Sequence, residues 1–464
     1  ISTFSSFAIV SENRVFLKPK KMSKIEAVLY GCATPTGAGI VINQLKEIKK
    51  KHKVCLIGVG GVGMAALLAL MKKGPQIFVI EKNLFGGGLF NVVTSNFSVN
   101  QITNEIKKHI DTSFKVLFMN TIPYGRQHIN SDDIKSVVNV LKSNYLTQGP
   151  EVSIFENEFA KYVSSKYAVA VSNGTAALHL CALALNIKPG DKVITTPITF
   201  AASANCIRYC GGEVVFIDID PNTYLIDTKK LKQLLNNSKE GEYKGVIPVD
   251  FSGRSNNFEE IKKIADKHKL WIIEDSCHAP GAYFKDSKGI KQFCGNGVYT
   301  DLSIFSFHPV KHIATGEGGM ITTNNKNLYD KLIELRTHGI TKDESKFQNS
   351  ISLATGELSS NSYPHWYMEM QNLGYNYRLT DFQAALGTSQ LKRAKKGLIR
   401  RKEIAKIYFN AFKKSNFVIR QSGSHEGHAY HLYILEVKNR LGLYDFLREN
   451  KIYAQIHYFP CHLM

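Results

Sequence analysis

Apolar residues along the chain fall into two successive trains of short runs. In the first, the apolar run Val54-Cys-Leu-Ile57 reads as a strand. A glycine turn and a helical pattern over 62–73 follow, and Ile77-Phe-Val-Ile80 reads as a second strand, ending at Glu81. This is one βαβ unit, trailed by a Gly/Asn/Ser-rich stretch, a helix over 102–110 and a strand over 114–118. A longer train opens near Pro123. It predicts helices over 131–143, 151–163, 175–185, 201–209 and 258–268. Between them it predicts strands over 168–171, 192–196, 213–217, 245–250, 270–274 and 303–307. Strands spaced by helices of that length predict an α/β fold with a mostly parallel sheet covered on both faces. Beyond Asp381 the pattern turns helical, then to strands near 430–437 and 452–458, as a smaller appended domain would. The expected division is 1–118, 119–385 and 386–464.

Composition narrows the class. The chain has 464 residues, 44% hydrophobic and 21% charged, as in a soluble globular protein. Its longest apolar stretch, 62–71, is too short to cross a bilayer. The N-terminus lacks the order of a signal peptide, because its apolar opening precedes the basic run Lys18-Pro-Lys-Lys21. Eight cysteines with no CxxC pair suggest reduced thiols and a cytoplasmic protein. Half of the +20 net charge lies in the first 118 residues, which raises nucleic-acid binding. No arginine-rich arm, zinc finger or RNA-binding aromatic motif accompanies it, so a solvated basic face is the expectation, with neither nucleic acid nor membrane as partner.

Several strand ends carry chemistry. The segment Ser303-Ile-Phe-Ser-Phe-His-Pro-Val-Lys311 places a lysine just past an apolar strand. Alone, that lysine reads as an ordinary surface residue. However, the strand Leu270-Trp-Ile-Ile-Glu-Asp275 ends in two acids followed by Ser276-Cys-His278, and carboxyl ends of parallel strands are where open α/β sheets bind ligands. Val169-Ala-Val-Ser-Asn-Gly-Thr-Ala-Ala177 reads as strand, turn and helix start, a geometry that aims backbone N–H groups and the Thr175 hydroxyl at an anion. A turn or helix cap is the plainer reading of Asp275 and of Thr175. Lysine, acid, phosphate cradle and a flat cover are together what pyridoxal phosphate (PLP) asks of a protein.

Five motifs occur in order: Ser-Asn-Gly-Thr-Ala-Ala-Leu (172–178), Pro-Ile-Thr-Phe (197–200), Glu-Asp-Ser-Cys-His-Ala (274–279), Ser-Phe-His-Pro-Val-Lys (306–311) and Gly-Tyr-Asn-Tyr-Arg-Leu-Thr-Asp (374–381). From about Ile122 onward the chain thereby resembles the DegT/DnrJ/EryC1/StrS family of sugar aminotransferases. The resemblance implies a type I PLP fold with a large domain and a small C-terminal one. It implies that Lys311 holds the cofactor aldehyde as a Schiff base, that Asp275 pairs with the pyridine nitrogen, and that His278 contacts the ring's 3-oxygen side. Phe200 would stack on the ring. Gly174, Thr175 and Ser306 would hold the phosphate, and Asn376 would reach the cofactor phosphate of a second copy, making a homodimer with shared sites. Family members with histidine at the lysine position are dehydratases, so Lys311 implies transamination. Ile122-Pro-Tyr-Gly, Leu146-Thr-Gln-Gly-Pro150, Trp366-Tyr-Met-Glu-Met-Gln371 and His457-Tyr-Phe-Pro-Cys-His-Leu463 resemble the pseudaminic-acid branch. That branch moves an amino group from L-glutamate to C4 of a UDP-linked 4-keto-6-deoxy sugar. The chain stops at Met464 inside the last of these motifs, so a shortened small domain is expected.

The front offers a rival reading. Gly58-Val-Gly60-Gly-Val-Gly63 followed by Glu81 fits a dinucleotide fingerprint, in which glycines admit the pyrophosphate and the acid meets a ribose hydroxyl. Gly31-Cys-Ala-Thr-Pro-Thr-Gly37 and the opening Ser2-Thr-Phe-Ser-Ser-Phe-Ala-Ile-Val resemble the medium-chain, zinc-type alcohol dehydrogenases, with Cys32 at the place of one zinc ligand. A catalytic zinc needs three protein ligands and the others have no counterpart, so no metal is expected. The alternatives are an NAD(P)-dependent dehydrogenase or a non-catalytic nucleotide-binding module. The expectation is a partial Rossmann-like remnant with no NAD(P) chemistry.

Overall fold

The computed structural model describes residues 121–464 except 358 and 359, and before them only the backbone of five strands. The chain divides into two units, Ile1–Thr121 and Ile122–Met464. In the first, Phe7–Ile9 pairs antiparallel with Val15–Leu17, while Ala27–Tyr30, Lys53–Ile57 and Gln76–Ile80 pair in parallel in that order. Three parallel strands are common to many α/β folds and do not assign a nucleotide site. Cys32, Gly58, Gly60, Gly63 and Glu81 lie outside the described residues, as do the elements expected over 62–73, 102–110 and 114–118.

The second unit is built on a seven-stranded sheet. Its strands are β1 (Tyr167–Val171), β2 (Lys192–Thr195), β3 (Glu213–Phe216), β4 (Tyr243–Ile247), β5 (Trp271–Asp275), β6 (Leu302–Ser306) and β7 (Gly319–Thr323). They lie in the order β1-β7-β6-β5-β4-β2-β3. β3, β2, β4, β5 and β6 run parallel, whereas β7 is antiparallel to both β6 and β1. The sheet is therefore mixed, not uniformly parallel. β7 escaped the sequence pattern because Gly319-Met-Ile-Thr-Thr is brief and follows a glycine-rich turn.

Helices close both faces. Pro150 opens α2 (Pro150–Val163) at the first helical turn, where its missing N–H costs nothing. α2 buries Phe155 and Phe159 against Phe305 and Phe307. α1 (Ser131–Leu141) starts with a reciprocal cap between Asn130 and Asp133. α3 (Gly174–Ala184) is buried nearly throughout and packs with α4 (Ala202–Tyr209) over the sheet centre. α5 (Thr228–Asn236) and α6 (Phe258–Lys267) cover the β2/β4 end, with Leu231, Leu235, Ile261 and Ile264 in one cluster. α7 (Lys326–Arg336), α8 (Asp381–Lys392) and α9 (Ala394–Phe412) follow. No helix among the described residues is long and apolar enough to cross a membrane.

The C-terminal part departs from expectation. Of the strand expected over 430–437, only Leu435–Val437 forms, pairing with Val418–Gln421. The residues before it are tied instead to the loop after β4, through Ala429 N to Gly253 O and Leu432 N to Ser252 O. The strand expected over 452–458 is absent apart from a bridge between Ile122 and Ile452, because this stretch makes side-chain contacts with the large sheet's upper edge.

Candidate active site

Because β1, β5 and β6 are parallel to one another, their carboxyl ends share one edge of the sheet, and β7 begins there. Asp275 is the last residue of β5 and is buried. Its Oδ2 accepts a 2.6 Å hydrogen bond from Ser203 Oγ on α4, and its Oδ1 accepts one from Cys277 N at 3.1 Å. Ser203 Oγ lies 2.9 Å from Thr199 Oγ1, so a hydroxyl chain backs the carboxylate.

Ser306 ends β6, and Lys311 follows in a turn closed by its N–H to His308 O. Lys311 is half-buried, and burial of its amine lowers its pKa, against smaller opposing effects of Cys277 and Asp275. That pKa change favours a neutral, nucleophilic amine, which is what a lysine needs to attack a carbonyl. Cys277 is thus a neighbour of Lys311 as well as of Asp275.

The turn between β1 and α3 packs against the same edge. A Cβ on Gly174 would stand 3.1 Å from Ser306 Cβ and 3.4 Å from Cys277 Sγ. One on Gly319 would stand 2.5 Å from Asn173 O. Both glycines are required by close backbone approach. Asn173 caps α3 by accepting from Ala176 N, which leaves the first N–H groups of the helix beside Thr175 and Ser306.

His278 is buried and sits 3.2 Å through Nε2 from Tyr458 OH. Burial, then Lys311, His457 and His312, pushes its pKa well below the usual imidazole range. Its Nδ1 is buried with no partner among the described residues. The His431 ring stacks 4.3 Å away, and burial also raises the Tyr458 phenol well above its usual range. Phe200, at the start of α4, is 61% exposed, its ring 6.3 Å from that of Tyr458. On the other side of Tyr458, Tyr124 OH meets His457 Nε2 at 2.7 Å.

The structure therefore brings Lys311, Asp275, His278, Ser306 and Gly174 to one edge of the sheet, with Thr175 and Phe200 beside them. Asn376 makes no hydrogen bond to these residues, though the segment after it pairs with Val171 and Ser172. It is exposed, and its Oδ1 accepts from Arg378 Nε at 3.0 Å in a segment bridged to Thr337. Sequence reasoning assigned no site role to Ser203, Tyr458 or His431. Ser203 had a faint signal, since Thr199 and Ser203 stand one helical turn apart. Tyr458 stood in the 457–463 motif, but nothing local joined it to His278, 180 residues away.

These residues fit PLP. A glycine cradle beside a hydroxyl and a helix start suits a phosphate, an orphaned His278 Nδ1 awaits a polar partner, and an exposed Phe200 face awaits a flat one.

Comparison with known proteins agrees with this geometry. The chain is 37% identical over 346 residues to the UDP-4-amino-4,6-dideoxy-N-acetyl-beta-L-altrosamine transaminase of Campylobacter jejuni, covering 73% of this chain and 84% of that protein. Among solved structures it is similar to a Helicobacter pylori aminotransferase involved in the biosynthesis of pseudoaminic acid. That match has a TM-score of 0.62 and 29% identity, over 74% of this chain and 86% of that one. A Streptococcus pneumoniae protein described as a sugar aminotransferase matches in its PMP form with a TM-score of 0.65 and 28% identity, over 74% and 87% of the two chains. It matches in its PLP form as well. Residues 127–464 match the DegT/DnrJ/EryC1/StrS aminotransferase family. The chain belongs to that family and is a PLP-dependent sugar aminotransferase of fold type I.

Proposed function

We propose that this enzyme transfers the amino group of L-glutamate to C4 of a UDP-linked 4-keto-6-deoxy sugar for pseudaminic acid or a related surface glycan. The reading has it acting in the cytoplasm as a homodimer with shared sites. The observation that carries the reading is the placement of Lys311, with its lowered pKa, beside Asp275 and Cys277. The sugar assignment is supported by the activity for which the Campylobacter relative is named and by the motifs at 146–150, 366–371 and 457–463.

PLP, when bound, supplies a ring that takes up the electron pair released as a proton leaves the carbon bearing the amine. The rest falls to the chain. Lys311 Nζ holds the cofactor between turnovers and, once free, moves the proton between the two carbons involved. A neutral amine is needed for that, and burial favours it. Asp275 keeps a proton on the pyridine nitrogen, with Ser203 fixing the carboxylate's angle. His278, kept neutral by burial, presents Nδ1 to the ring oxygen while Tyr458 holds its other nitrogen. Gly174, Thr175 and Ser306 would hold the phosphate, Phe200 would cover the ring, and Asn376 would reach the phosphate held by the second copy.

Two measurements test this. Borohydride should fix the cofactor to the Lys311 peptide, and labelling of another lysine peptide would refute that assignment. With L-glutamate, the enzyme should convert a UDP-linked 4-keto-6-deoxy sugar to its 4-amino product. Amination of only GDP- or dTDP-linked sugars would refute the substrate.

A further inference from the structure

Behind Asp275, two more carboxyl groups meet in the core. Asp250 follows β4 and Glu274 is the penultimate residue of β5, both buried. Their oxygens and Cys294 Sγ all lie within 4.8 Å of one another. Among the described residues neither acid meets a cation within ion-pair distance; the buried ion pairs are Arg336–Glu156 and Arg393–Asp133, elsewhere. Two ionised carboxylates this close without a cation repel strongly, so the pair keeps one proton.

The donors show where that proton is shared. Asp250 Oδ1 accepts from Asn256 N and Asn256 Nδ2, both at 2.9 Å, and Oδ2 accepts from Ser276 Oγ at 2.7 Å. Both of its oxygens are supplied. Glu274 Oε2 accepts from Gly295 N at 3.0 Å and Ser303 Oγ at 2.6 Å. Glu274 Oε1 is buried with no donor among the described residues. Cys294 Sγ lies near but makes no hydrogen bond to it. A divalent cation fits poorly here, because Asn256, Ser276, Gly295 and Ser303 already point hydrogens at these oxygens.

Asp250 in turn grips the residues that face the cofactor. Its N–H donates to Asp275 O at 3.0 Å, and Ser276 Oγ donates to its carboxylate, so both residues beyond Glu274 hang on it. We propose that Asp250 and Glu274 share one retained proton across Glu274 Oε1, and that this acid–carboxylate pair positions the segment bearing Asp275 and His278. The positioning role rests on the reading of those two residues as cofactor contacts; the shared proton does not. Burial and Glu274 together push Asp250 well above the usual carboxylate range, in keeping with a pair that retains one proton.

Glu274→Gln decides the matter in the full-length, PLP-loaded protein. Glutamine keeps an oxygen for Gly295 and Ser303 and places an N–H where the proton would be. Its thermal midpoint near neutral pH should lie within about 2 °C of the parent's, and its cofactor absorption band should be unchanged. The pH slope separates this from a merely structural role. The folded pair holds a proton that the unfolded chain releases near pH ~4, so its stabilising contribution is complete below that pH and is lost as pH rises towards the folded pKa. Glutamine cannot lose its N–H hydrogen. Between about pH 6 and 9 the parent's midpoint should therefore fall more steeply than that of Glu274→Gln. Asp250→Ala, which releases Ser276, should weaken PLP binding about tenfold or more in a titration of the apoprotein. If Asp250→Ala does not fold, Glu274→Gln still decides. A large loss of stability in Glu274→Gln, equal pH slopes, or one EDTA-removable divalent metal ion per chain would overturn the proposal. Midpoint and slope do not depend on which sugar is aminated, so failure of the substrate reading would leave them unchanged.

Discussion

Ser203 Oγ donates a 2.6 Å hydrogen bond to Asp275 Oδ2, joining a helix after β2 to the end of β5. The pair is buried, so the bond is neither screened nor easily replaced by water. It sets the angle at which the carboxylate meets its partner.

Asp275→Asn removes the charge that keeps the pyridine nitrogen protonated, and kcat should fall by about 100-fold or more, with PLP affinity changed far less. Ser203→Ala removes one hydrogen bond to a charged group and should cost about tenfold in kcat. Single-turnover rates with L-glutamate check both, and near-normal turnover in Asp275→Asn would refute the role.

Asn376 is exposed, as a residue serving a second copy would be. Mixing inactive Lys311→Ala and Asn376→Ala chains should restore activity, because one site of the heterodimer then carries neither change. Absence of recovery, with exchange of subunits shown by mass, would count against a shared site.

Asp133 is fully buried between α1 and α8 and is held by Arg393, Ser389, Gln390 and the Asn130 N–H. Burial alone would raise its pKa, but Arg393 and the other donors outweigh it and hold it below the usual carboxylate range. Asp133→Ala leaves the guanidinium unpaired and should cost about 3 kcal/mol in chemical denaturation. The sign for pH follows from the lowered folded pKa. The contribution is complete above the unfolded value near pH ~4 and is lost as pH falls through the folded one. The parent and Asp133→Ala should therefore converge in stability at acid pH.

A chain beginning at Met119 should keep the aminotransferase activity of the full chain and be at least as soluble. Phe118-Met-Asn-Thr-Ile-Pro-Tyr-Gly125 runs from one pattern into the next with no flexible linker, and every residue proposed for the site lies beyond it. Side-by-side amination assays decide this. Loss of activity with PLP still bound would give the front a part in substrate handling or assembly.

Local pattern determined much of this protein. Apolar runs at β1, β2, β5 and β6 and the helices between them were legible because a buried strand must be apolar whatever its neighbours. Lys311, Asp275 and the 172–178 turn stood out because each sits where a strand ends, and a strand's end is a local property. β7 was not legible. Five residues after a glycine turn carry little periodicity, and only slots already formed between β6 and β1 select them as an antiparallel strand. The stretch at 452–458 alternates as a strand would, yet tertiary contacts of His457 with Tyr124 and of Tyr458 with His278 claim it for the site. The shared proton of Asp250 and Glu274 lies further still from local reading. Glu274 looks like one of two acids at a strand end, and the proton proposed for the pair follows only from which donors the fold brings to each oxygen.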